Sequence, residues 1–250
     1  MYTTIMQSDS TGVILAAGKG KRMGGLPKGL ISIGGQSVLE RLAEVVQGAT
    51  GNRAIAVVGH QQEEIKKTLG NTLIYAEQKQ QLGTANALLA AKIACANAER
   101  IAVFYGDHPF VSLQTAKKLL EKSKQTGAKI TLASAIIPNF EKEYKIFLHF
   151  ARILRSETKI IGIREYKDAN ENEKNITEVN PGYYVFDAKW LWPHLEKVSN
   201  NNAQGEFYLT DLLQMAQKEG AKIESIEINP KEAMGVNSKE ELEILEKFAV

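Results

Sequence analysis

Residues 12–28 read GVILAAGKGKRMGGLPK. The stretch opens with an apolar run, Val13 to Ala17, and passes into a turn with glycines at 18, 20, 24 and 25. A buried strand that breaks into glycines brings backbone N–H groups close to a bound anion. Lys19, Lys21, Arg22 and Lys28 add positive charge where a polyphosphate would lie. Two familiar phosphate loops are excluded by spacing. The dinucleotide fingerprint needs a third glycine three places after Gly20, and Met23 stands there; the Walker loop needs a Gly-Lys-Ser/Thr triplet, which is absent.

Working outward, apolar strands alternate with helical segments. Residues 31–33 form a short apolar piece, and Ser37 with Glu40 reads as a capping box for a helix running to about Val46. Strands are expected at 54–58, 73–76, 101–105 and 129–137, and helices at 61–69, 84–98 and 111–125. That alternation predicts an α/β fold: a Rossmann-like, mostly parallel sheet with helices on both faces. The strands are nearly continuous apolar runs, as fits strands covered on both faces. The second half changes character. Residues 146–155 and 159–166 read as an antiparallel pair, 167–174 as an exposed polar loop, and 178–186 as a strand broken by Pro181-Gly182. Helices are expected at 188–198, 208–219 and 238–248, with a strand at 223–228. The expected organisation is one domain over 1–250, with a loose lead-in to about residue 11 and an inserted antiparallel β lobe at about 140–186.

Composition bounds the function. A chain of 250 residues can bury a full core without staples. A net charge of +2 excludes a broad basic face for nucleic acid. The single cysteine, Cys95, lies in an apolar helical pattern and supports no disulfide framework. No apolar run approaches the roughly 20 residues that span a bilayer, and residues 1–12 lack the pattern of a signal peptide. A soluble cytoplasmic protein is expected. The sequon at Asn175 then has no meaning.

In open α/β sheets ligands sit beyond the carboxyl ends of the strands. Three features fall there and should face one cleft: the opening loop, residues 78–84, and Asp107 after the run 101–105. A carboxylate at a strand end suits Mg²⁺ beside a phosphate; it also suits a turn cap before His108-Pro109. Gly83-Thr84 begins a helix, where N–H groups face outward. His60, His108, His149 and His194 show no metal spacing and read as satisfied or exposed. The run 200–206 is a polar connection by pattern alone.

Together these segments resemble the nucleotidyltransferase family that activates sugar phosphates, and most of all the uridylyltransferase domain of bacterial bifunctional N-acetylglucosamine-1-phosphate uridyltransferases. Leu15 to Met23 with Leu26-Pro27-Lys28 match its signature loop, Gln78 with Gln81 to Thr84 its uracil-reading segment, and Tyr105-Gly106-Asp107 its metal strand. Residues 162–169, 178–182, 200–211 and 235–237 follow in the family's order. The resemblance implies that Leu15, Ala16, Ala17, Gly18 and Gly20 receive the nucleotide, with Lys28, Tyr105 and Gly106. Gln78, Gly83 and Thr84 would read uracil. Arg22 and Lys28 would act on the triphosphate, Asp107 and Asn237 would hold Mg²⁺, and Glu165, Asn180 and the backbone at Ala151 would bind the sugar. The implied partners are UTP and a sugar 1-phosphate, with no nucleic acid or membrane, in a monomer or small homo-oligomer.

Two departures bear on this. Where the family has glycine-tyrosine-glycine before Arg-Ile/Val, this chain reads Leu148-His149-Phe150-Ala151 before Arg152-Ile153, which bears on which sugar is read. No hexapeptide repeats of an acetyltransferase β-helix follow. Three alternatives accompany the uridylyl reading: another sugar 1-phosphate, CTP as donor, or a non-catalytic nucleotide-sugar binder.

Overall fold

The computed structural model describes residues 9–18, 27–59 and 61–248. In chain order the elements are β1 (Ser10–Leu15), β2 (Ser32–Ile33), β3 (Gln36–Ser37), α1 (Val38–Thr50), β4 (Ile55–Val58), α2 (Gln62–Leu69), β5 (Ile74–Glu77), α3 (Thr84–Ala90), β6 (Arg100–Tyr105), α4 (Leu113–Thr126) and β7 (Ile130–Ile136). Then follow β8 (Ala151–Ser156), β9 (Lys159–Arg164), α5 (Glu171–Lys174), β10 (Glu178–Asn180), β11 (Tyr184–Asp187), α6 (Ala188–Leu195), α7 (Asp211–Lys218), β12 (Ile223–Glu227) and α8 (Lys239–Glu246).

One ten-stranded sheet carries the fold, in the order β5-β4-β1-β6-β11-β7-β10-β8-β9, with β12 also on β7. The pairs β4–β5, β1–β4, β1–β6 and β7–β12 are parallel. Strand β11 lies antiparallel between β6 and β7, and β10, β8 and β9 continue the sheet antiparallel. The expected β lobe is therefore an extension of the main sheet. Side chains alternate between two cores, as the two-residue period of a strand requires. Ile14, Ala56, Val58 and Phe104 pack with α1 and α4 on one face; Val13, Ile55, Val57 and Val103 pack with α3, α6 and α7 on the other. Both faces are covered, which accounts for the nearly continuous apolar runs of β1, β4 and β6. Among the described residues no helix is long and apolar enough to cross a membrane.

Several boundaries differ from the sequence expectation. Pairing begins at Ser10, inside the expected lead-in, because Ser10 and Thr11 already pair with Arg100 and Ile101. The Ser37 hydroxyl accepts from the Glu40 N–H at 3.3 Å, as an N-cap should. The Glu40 carboxylate meets that hydroxyl, however, at 3.4 Å. Helix α3 stops at Ala90, because the next N–H groups, of Ala91 and Lys92, bond three residues back to Leu88 and Leu89 and tighten the chain into 3₁₀ turns. Residues 142–147 curl into a 3₁₀ turn with Ile146 and Phe147 buried, so β8 starts only at Ala151. The expected loop at 167–174 holds α5, which Asn170 and Glu173 start with a complete capping box.

The contact of α1 with β1 depends on Gly12. A Cβ there would lie 2.0 Å from Val46 Cγ1. Alanine in a strand is otherwise favoured over glycine by about 0.5–1 kcal/mol, but overpacking costs about 1–3 kcal/mol, so the clash wins. Gly12→Ala should lower the urea midpoint at unchanged slope, and Gly12→Ala/Val46→Ala should be less destabilised than the sum of the single variants, because Val46→Ala removes the obstructing methyl. Additive losses would contradict this packing.

Candidate active site

Strands β1 and β6 run side by side to Leu15 and Tyr105. There the Gly106 N–H donates to the Leu15 carbonyl at 2.9 Å. A Cβ on Gly106 would stand 2.9 Å from both Ala16 Cβ and Leu15 O, so glycine alone lets the two strand ends meet. The end of β5 supplies the third wall. Its Gln78 is buried, and its Nε2 donates to the Gly83 carbonyl at 3.1 Å and to Asn86 Oδ1 at 2.8 Å. Gly83 adopts φ +120°, and a Cβ there would meet the Phe207 carbonyl at 2.5 Å. The turn is held against residues 207–209 from outside: Phe207 N–H donates to Leu82 O at 2.8 Å, Ala85 N–H to Phe207 O at 2.9 Å, and Leu209 N–H to Thr84 Oγ1 at 2.9 Å.

These ends enclose a cleft of about 400 Å³ lined by Leu15, Ala16, Ala17, Gly18, Lys28, Gln78, Gly83, Thr84, Tyr105, Gly106 and Asp107, with Gln81 and Glu206. Every described residue expected to receive the nucleotide is in that lining. Gly20 and Arg22, with Lys19 and Lys21, lie outside the described residues, as does His60.

A second cleft of about 290 Å³ adjoins the first and shares Thr84, Tyr105, Asp107 and Glu206 with it. The three expected sugar residues, Ala151, Glu165 and Asn180, line it together with His149, Phe150, Tyr208 and Asn237. Asn180 pairs with Ala151 across β10 and β8. Its amide is held on both sides, donating to Tyr184 Oη at 2.6 Å and accepting from the Gly182 N–H at 3.1 Å. Gly182 has φ +81°, and any Cβ there would stand 2.5 Å from the Tyr105 ring. Glu165 accepts from the Thr210 hydroxyl at 2.9 Å. Burial, reinforced by Asp168, Asp211 and Glu206, pushes its carboxyl up from 4.5 to about 7.

Asp107 and Asn237 meet where the clefts join. The Val236 N–H donates to the Asp107 carbonyl at 2.8 Å, which brings the 235–237 segment to the end of β6. Lys28 Nζ then donates to Asp107 Oδ2 at 3.3 Å and to Asn237 Oδ1. Two hard oxygens from distant parts of the chain thus converge on one cation. Behind them, His108 is buried, with Nδ1 3.0 Å from Tyr183 Oη and Nε2 3.5 Å from Asp107 Oδ1. The Tyr183 hydroxyl donates to the Glu232 carbonyl at 2.5 Å, so the Nδ1 side of the ring carries the proton. Among the described residues no three His, Cys, Asp or Glu side chains form a metal site. A metal here would rest on one carboxylate and one amide, leaving positions for water and phosphate, as Mg²⁺ prefers.

The structure adds Gln204, Glu206 and Tyr208 to the residues expected at the clefts. The 200–206 run, a plain connection by pattern, brings Gln204 and Glu206 to the clefts. Tyr208 follows it and accepts a 2.7 Å hydrogen bond from Gln204. His149, part of the 148–151 departure expected to bear on the sugar, lines the second cleft with its ring nearly perpendicular to that of Tyr166 at 4.9 Å. Nothing in the local pattern of Gln204, Glu206 and Tyr208 distinguishes them; only the order of segments along the chain does.

Comparison with known proteins fits this arrangement. The bifunctional protein GlmU of Clostridium novyi is 36% identical over 234 residues, covering 92% of this chain and 50% of the relative. That of Staphylococcus haemolyticus is 38% identical over 239 residues, covering 94% and 51%. The chain therefore spans about half the length of the curated relatives it matches. In fold it is similar to a putative glucose-1-phosphate thymidylyltransferase from Bacillus anthracis in complex with sucrose (TM-score 0.76, 18% identity, 96% of this chain and 95% of that one). It is also similar to a UDP-glucose pyrophosphorylase complexed with UDP-glucose (TM-score 0.72, 15% identity, 96% and 98%). The profile of the MobA-like NTP transferase domain matches residues 12–207, and with the strand-end cleft in place the chain belongs to that family of nucleotidyltransferases.

Proposed function

We propose that this protein joins UTP to N-acetylglucosamine 1-phosphate, giving UDP-N-acetylglucosamine and pyrophosphate, in the cytoplasm and as one nucleotidyltransferase unit over the 250 residues. The observation that carries the reading is the junction of two clefts at Lys28, Asp107 and Asn237: one cleft with the signature loop and Gln78, the other with Glu165 and Asn180.

The phosphate oxygen of the sugar 1-phosphate attacks the α-phosphorus of UTP in line. A new P–O bond forms, the bond from the α-phosphorus to the oxygen bridging to the β-phosphate breaks, and pyrophosphate leaves with that electron pair. No covalent nucleophile is required, and positioning with charge neutralisation supplies the acceleration. Lys28 neutralises charge between two anionic reactants, and Arg22 stabilises the leaving pyrophosphate. Gln78 spends its amide hydrogens on Gly83 and Asn86, which leaves its carbonyl oxygen as an acceptor. That oxygen can accept from the N3–H of uracil. Glu165 and Asn180 orient the sugar. Asp107 and Asn237 would hold Mg²⁺, whose bound form supplies charge neutralisation and polarises phosphoryl oxygens. The two oxygens fit that ion because they already converge on the Lys28 ammonium.

The test is a panel of UTP, CTP and dTTP against several sugar 1-phosphates, read as pyrophosphate release with and without Mg²⁺. UTP with N-acetylglucosamine 1-phosphate should lead, and only with the metal. A binder that holds UDP-sugar but releases no pyrophosphate would refute the reading. Lys28→Ala and Asp107→Ala should each slow turnover by roughly 10² or more, the scale of losing one preorganised electrostatic group; near-wild-type rates in either folded variant would remove that residue from the mechanism.

Glu165 makes a separate prediction. Its folded-state pKa lies above the usual value, so its contribution to stability is complete below about 4.5 and is lost as pH rises through about 7. Urea unfolding should show wild type losing stability relative to Glu165→Gln between pH 5 and pH 8. A difference independent of pH would mean that the carboxyl is not raised.

A further inference from the structure

Arg152, one residue into β8, is 0% exposed. A guanidinium brings five N–H donors and keeps its charge, so burying it is costly unless the donors find acceptors. Every acceptor it reaches is a main-chain carbonyl. Nη2 donates to Leu148 O at 2.9 Å and Lys174 O at 3.2 Å, and Nε also donates to Lys174 O at 3.2 Å. Nη1 donates to Phe147 O at 3.4 Å and to Phe150 O. Aromatic faces enclose the plane: Phe140 at 4.3 Å from its centroid and Tyr166 at 5.2 Å.

The consequence lies on the far side of those carbonyls. With the 147, 148 and 150 oxygens turned toward the guanidinium, the turn presents His149, Phe150 and Ala151 to the second cleft. Tyr166 links the opposite wall. It follows Glu165, and its ring receives both Arg152 and the edge of His149. One buried cation therefore ties the 147–151 turn to the Glu165–Tyr166 wall. None of these residues lines the nucleotide cleft.

We propose that Arg152 is a positioning residue for acceptor recognition: it sets the spacing of the two walls of the sugar cleft without touching substrate, and so fixes which sugar 1-phosphate is accepted. This rests on the nucleotidyl-transfer reading above. Lysine cannot replace it, because a compact ammonium with three donors does not span four carbonyls.

The experiment compares wild type with Arg152→Lys, Arg152→Met and Tyr166→Leu, measuring KM for each substrate separately. The Arg152 variants should raise KM for the sugar 1-phosphate by about 10- to 100-fold, the scale of an ångström-sized misplacement. KM for UTP should stay within about twofold, since uniform binding of the donor is untouched. The ranking of sugar 1-phosphates should flatten. Tyr166→Leu keeps the buried cation and cuts its link to His149, so it should show the same split, and it decides the matter if the Arg152 variants do not fold. Equal changes in both KM values, or no change in either, would overturn the proposal. A wild-type protein that releases no pyrophosphate would instead remove the reading beneath it, before any variant is compared.

Discussion

Between the ends of β1 and β6 the Gly106 amide reaches the Leu15 carbonyl at 2.9 Å, in a gap that admits no Cβ. Residues 16–18 leave from one side of that contact and Asp107 from the other. Parallel pairing puts both ends at the same edge of the sheet, and β5 brings Gln78 to the same edge through its register with β4. The cleft is thus a product of strand register, and its polar groups sit at strand ends and in short turns held by two apolar cores. The antiparallel strands β10 and β8 extend the same sheet and set Asn180 beside Ala151, one cleft away.

Electrostatics divide the two halves. Lys28 stands at their junction, paired with a carboxylate about one-fifth exposed, so the pair is only partly screened. The surroundings of the second cleft are acidic, with Glu165, Glu206, Asp168 and Asp211. Burial and mutual repulsion raise Glu165 to about 7, and Asp211 moves upward for the same reasons. A carboxyl kept partly protonated near neutral pH repels an anionic ligand less than a full carboxylate and can donate as well as accept a hydrogen bond. The Glu165–Thr210 contact holds that group at the cleft wall.

Much of this was legible in the sequence because it is local. A strand that ends in glycines, a Gly-Thr helix start and an Asp after an apolar run each follow from neighbours in the chain, and all three reached one cleft. The parts that were not legible join distant residues. Lys28 and Asn237 meet across 209 positions. Arg152 collects carbonyls on both sides of itself, one of them 22 residues away, and that cage turns an expected strand at 146–150 into a curl. Helix α3 also read as longer than it is, since an alanine-rich pattern does not distinguish an α-helix from the 3₁₀ turns that continue it.

If Asp107 and Asn237 hold a metal where the two clefts join, a bound nucleotide sugar must carry its phosphates beside that ion. Phosphorus-31 relaxation of UDP-N-acetylglucosamine bound with Mn²⁺ measures this directly. Both phosphorus nuclei should relax strongly in the wild-type complex, and that enhancement should be lost in Asp107→Ala/Asn237→Ala while the nucleotide still binds. Undiminished enhancement in the double variant would contradict the account.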